Sequence, residues 1–112
     1  MKKYKVDLQK LLTGLNTLTG RDMVEVEFNE RRAGNNSADL TFTKSFQARL
    51  AARALKEDYN VLQALPLYQY EQMCTVVFVF LQTGPEKTAN LVATQLEDST
   101  EPLQLNSGST EQ

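Results

Sequence analysis

The sequence predicts a mainly α-helical protein: one small helical domain over residues 1–97, a candidate short β-hairpin near residues 23–43, and a flexible polar tail over 98–112. Three observations carry this. A dense apolar run between Leu65 and Gly84 is closed at each end by a turn signal. An alanine-rich stretch from Phe46 to Leu55 repeats its apolar residues at helical spacing. The last fifteen residues, DSTEPLQLNSGSTEQ, are polar and rich in Ser and Thr, a composition too poor in apolar side chains to order itself.

In chain order, a basic start gives way to Val6-Asp7-Leu8, where Asp7 can cap a short helix with Leu8, Leu11 and Leu12 on one face. Gly14 is expected to end it. From Met23 to Asn29 the residues alternate, with Val24, Val26 and Phe28 facing one way and Glu25, Glu27 and Asn29 the other. Alternation of that kind describes a half-exposed strand. Glutamates are good helix formers, so a helix continuing to Arg32 is the competing reading. Ala33-Gly34-Asn35-Asn36-Ser37 is the clearest loop, and Leu40, Phe42 and their threonines can return as a second strand.

Thr43 then offers an N-cap to a helix in which Phe46, Leu50 and Ala54 lie beside Ala48, Ala51, Ala52 and Leu55. Arg49 and Arg53 fall one turn apart on its outer side, either solvated beside Glu57 or docking an acidic partner. Asp58 caps a short turn carrying Tyr59, Val61 and Leu62. Next comes the apolar run, whose proline sits in the first turn of a helix that Gly84-Pro85 stops. Leu67, Tyr70, Cys74, Val77 and Leu81 make one stripe, and Met73, Val76 and Phe80 a second beside it. A helix apolar nearly all round is either central in its fold or buried against another chain. The valines also suit a strand, but about 17 residues between proline and glycine exceed an ordinary strand of about 4–8. A last helix over Glu86–Glu97 would place Ala89, Val92, Ala93 and Leu96 inward.

Composition argues against several functions. There is no histidine, the usual base near neutral pH and the commonest metal ligand. The one cysteine, Cys74, cannot form an intrachain disulfide and lies inside the apolar stripe, where an inert thiol is expected. A net charge of −2 from mixed acids and bases gives no electrostatic case for nucleic acid or a membrane surface. The longest apolar run, Val76 to Leu81, is far short of the roughly 20 residues a bilayer span needs. Nothing at the start reads as a signal peptide, so a cytoplasmic protein is expected. Glu25, Glu27 and Glu30 read as solvated acids rather than metal ligands or an acid–base pair, and no Gly-rich phosphate loop is present. No catalytic residue, cofactor or metal is expected.

The segments KVDLQKLLTGL, FQARLAARAL, NVLQALPLYQY and FVFLQTG, followed by a polar tail, resemble the tail assembly chaperones of long-tailed bacteriophages. The likeness lies mainly between Phe46 and Leu81. It implies a small, helical, non-enzymatic protein of the host cytoplasm that binds the tape-measure protein, and in some cases the tail-tube subunit, before the tube polymerises. Tyr70, Met73, Val77, Phe80 and Leu81 are the expected protein-binding residues, serving the client or a homo-oligomer contact. The alternative is a structural or adaptor protein of the particle, of the head–tail joining type, that self-associates through residues 23–43.

Overall fold

Within residues 5–100, which a computed structural model describes, the chain folds into six α-helices and no strand. These are α1 (Leu8–Thr17), α2 (Gly20–Arg32), α3 (Lys44–Leu55), α4 (Tyr59–Gln63), α5 (Leu67–Thr83) and α6 (Pro85–Thr100), with a 3-10 turn over Leu40–Phe42. Most of the expected tail, residues 101–112, lies outside the described residues, whereas 98–100 continue α6.

Asp7 begins α1 as expected, its carboxylate accepting from the Lys10 N–H at 3.1 Å and satisfying a donor that the first turn leaves open. Leu8, Leu11, Leu12 and Leu15 are buried. Gly14 does not end this helix. α1 runs through it because the glycine lies against the backbone of α3: a Cβ at that position would come 2.1 Å from the Ala54 carbonyl oxygen. The absent side chain permits a close helix crossing, and it has no part in a turn.

The candidate hairpin is the main correction. Met23–Asn29 is part of α2, the following residues form a loop, and Leu40–Phe42 is a 3-10 turn. Asp22 reaches back to accept the Thr19 N–H at 2.8 Å, which fixes the helix start. Helical geometry then separates what alternation had grouped, sending Val26 inward and leaving Val24 and Phe28 exposed. Asn35 pins the loop: its amide donates to Glu30, Thr43 and Ser45, and its Oδ1 accepts from the Ser37 N–H.

The hub is α3, with eight of its twelve residues buried. It packs against α1, α2, α4, α5 and the 3-10 turn. Its alanines Ala48, Ala51, Ala52 and Ala54 are the reason, since small side chains let neighbouring backbones come near. Lys56 closes the helix in a left-handed conformation (φ 56°), and the Glu57 N–H returns to the Ala52 carbonyl at 2.9 Å. Asp58 caps α4 through the Asn60 N–H at 2.8 Å.

Pro66 stands just before α5 and Gly84 (φ 92°) just after it, so the apolar run is a helix along its whole length. α5 packs on α1, α3 and α6. α6 buries Val92 as expected but otherwise turns a different set of residues inward. Thr88 and Val92 are buried and Leu91 packs on the core, while Ala89 and Ala93 are exposed; the Leu96 side chain is outside those described. Thr88 tolerates burial because its hydroxyl donates to the Gly84 carbonyl at 2.7 Å.

Candidate functional site

The five residues expected to bind a partner divide into two groups. Met73 and Val77 are wholly buried, one turn apart on the inner face of α5, and leave no surface to a partner in this fold. Tyr70, Phe80 and Leu81 are half-buried and pack on the core at the edges of the helix. Tyr70 also accepts a hydrogen bond from the Gln63 amide at 2.9 Å, tying α5 to α4.

The opposite side of α5 is uncovered. Leu67 is 76 % and Tyr68 71 % exposed, and Phe78 and Val79 further along are partly exposed. The 3-10 turn adds Phe42, 62 % exposed, whose ring lies 5.5 Å from that of Phe78 at a tilt of 49°. Such a tilted pair is a favourable aromatic geometry. The turn is built to present it: the Asp39 carboxylate accepts from the Thr41 N–H at 3.0 Å, and buried Leu40 anchors one side while Phe42 leans outward. Leu67 and Phe78 are about 16 Å apart along the helix at 1.5 Å per residue, and Glu71 and Thr75 lie between them on the same side, so the apolar residues form two patches three turns apart. Glu71 is the one charged residue of α5, and Lys44 neutralises it at 2.8 Å.

Cys74 faces the core, and its thiol meets the Lys44 carbonyl at 3.7 Å. Burial pushes its pKa up to about 11, which favours the protonated thiol at neutral pH. Burial likewise raises Tyr59 and Tyr70 above the usual phenol value.

Arg49 and Arg53 already have acidic partners within the chain. Arg49 meets Glu30 at 2.6 Å, and Arg53 meets Asp22 at 2.8 Å and also pairs with Glu25. Glu30 is 2 % exposed. Burial alone would raise its pKa, but hydrogen bonds from Ser45, Asn35 and Arg49 together outweigh that and hold it below the ordinary glutamate value. Arg49 also stacks over the Tyr59 ring at 4.0 Å. These contacts fasten α2 to α3 and pair Asp22, Glu25 and Glu30 with its arginines. Among the described residues, no group of three or more His, Cys, Asp or Glu could hold a metal ion, and no helix is long and apolar enough to cross a membrane.

Sequence reasoning missed Phe42, Leu67 and Phe78 as surface residues. The signal was present in part: a helix apolar on all sides must leave some apolar residues outside whichever stripe the core takes. No family model, curated protein or solved structure matches this chain.

Proposed function

We propose that this protein is a non-enzymatic tail assembly chaperone of the long-tailed bacteriophage type, which covers apolar helical stretches of a tape-measure protein before the tail tube closes round them. The resemblance over Phe46–Leu81 supplies the class. The observation that carries the reading is the uncovered apolar strip of α5, Leu67, Tyr68 and Phe78, joined by Phe42. Such a strip fits an amphipathic client helix in the helix-in-groove manner.

Release matters as much as capture. The strip is short and open, which favours modest affinity at each contact, and repetition along a long client multiplies it. Tyr70, Phe80 and Leu81 pack on the core from the flanks of α5 and keep part of their surface open, whereas Met73 and Val77 act only through the core. The tail-tube subunit is a further candidate partner, by the same resemblance. The head–tail joining alternative depended on exposed strand edges at residues 23–43, and α2 with its loop provides none.

Co-expression with a tape-measure protein tests the proposal. Leu67→Asp and Phe78→Asp should leave the purified chaperone folded by circular dichroism and return the client to the insoluble fraction. Undiminished client solubility with both variants folded refutes this reading.

A further inference from the structure

α2 sorts its charges by sign. Its acids Asp22 and Glu30 turn toward α3 and pair with Arg53 and Arg49, while Glu25, at the edge of the outer face, reaches across to Arg53 as well. Arg21, Arg31 and Arg32 are exposed, and among the described residues no carboxylate lies within ion-pair distance of them. At helical spacing, Arg21, Val24, Phe28 and the Arg31-Arg32 pair follow one another along the outer face. Val24 is 61 % and Phe28 59 % exposed, the two being one turn apart on an open face that Glu25 and Asn29 share.

Two of the three arginines are already held in place. Arg31 donates to the Asn35 and Ser37 carbonyls at 3.2 and 2.7 Å, which fixes its position and leaves its charge unneutralised. Arg32 lies over the Phe28 ring at 5.7 Å. Ordering a guanidinium beforehand reduces what a partner must lose in side-chain freedom, and its planar fork suits carboxylates.

We propose that this face is a second docking surface, separate from the α5 strip, and that its partner is an acidic amphipathic helix. The partner's apolar residues would cover Val24 and Phe28, and its Asp and Glu side chains would pair with Arg21, Arg31 and Arg32. Charge complementarity selects that occupant. A basic, apolar helix face also attracts anionic lipid. Here, however, the strip offers only two large apolar side chains, too little area to insert into a bilayer but enough to meet the apolar stripe of one helix. The α5 strip has one charged residue and lacks this selectivity, so the inference does not depend on the proposed function.

The test uses the full chain, isotope-labelled, and two synthetic peptides of about 20 residues, long enough for several helical turns. Both peptides share one leucine stripe, flanked by glutamates in one and by lysines in the other. The glutamate peptide should shift the amide signals of residues 20–32 and bind about tenfold more tightly than the lysine peptide, the sum of a few exposed pairs, with the gap closing as salt is added. Arg21→Glu with Arg32→Glu should reverse that preference at an unchanged circular dichroism spectrum, and Phe28→Ser should weaken both peptides. Equal binding of the two peptides, a preference that survives the double variant, or shifts confined to α5 would overturn the proposal. So would tighter binding to phosphatidylserine vesicles than to the glutamate peptide.

Discussion

α3 and α5 use their apolar residues in opposite ways. α3 is short, with two arginines, a lysine and four alanines, yet eight of its twelve residues are buried. α5 is the most apolar stretch of the chain, and only four of its seventeen residues are fully buried. Small side chains let α3 be surrounded, because neighbouring helices can approach its backbone. Large ones keep α5 at the edge, with more apolar surface than the fold covers. Hydrophobicity alone therefore does not identify the centre of this protein; the room that a helix leaves for its neighbours does.

The sharpest test of that contrast exchanges the same side chain in each helix. Phe46→Ala in α3 removes a fully buried ring and should cost about 3–5 kcal/mol in urea unfolding. Phe78→Ala in α5 should cost about 1 kcal/mol or less, because its ring is partly in water already. Comparable losses from the two would mean that α5 is as much core as α3.

Next in size is Gly14→Ala. The new methyl group meets the Ala54 carbonyl at 2.1 Å, backbone against side chain, so α1 and α3 must move apart. A loss of about 3 kcal/mol is expected, read from the same unfolding curves. A neutral result would show that close approach to α3 is not what makes it the hub.

Glu30→Gln probes the other flank of α3 and should cost about 2 kcal/mol at neutral pH by removing the charge that Arg49, Ser45 and Asn35 are arranged around. Its pH dependence has a definite sign. The folded value lies below the ordinary 4.5, so the ionised form favours folding. That contribution is complete above about 4.5 and drains away as pH falls through the lowered folded value. The variant should show a flatter loss of stability in acid than the parent. The smallest effect is expected at the end of α3: Lys56→Gly relieves a left-handed lysine and should add about 0.5 kcal/mol, partly offset by the greater freedom of glycine in the unfolded chain.

Much of the helical plan was legible because its signals are local. Asp7 and Asp58 cap the helices they precede, and Gly84-Pro85 separates α5 from α6. α2 was ambiguous because Val24, Val26 and Phe28 alternate like strand residues, while the arginines that hold the helix lie 19 to 31 residues away. Gly14 was misread for a related reason: a glycine that stops a helix and one that admits a neighbour look alike until the neighbour is known. In α5 the density of apolar residues showed that some must lie outside the core. Which side faced out depended on where α3, α1 and α6 packed, and that set Met73 and Val77 inward and Leu67, Tyr68 and Phe78 outward.

The claim that the uncovered side of α5 receives a client can be tested at a single residue. A photo-crosslinking amino acid placed at Tyr68, on the strip, is compared with one at Ala89, exposed on α6, in cells making a tape-measure protein. A crosslinked adduct with the tape-measure protein from position 68 and none from position 89 is the predicted result. No adduct from position 68, or equal adducts from both, would contradict it.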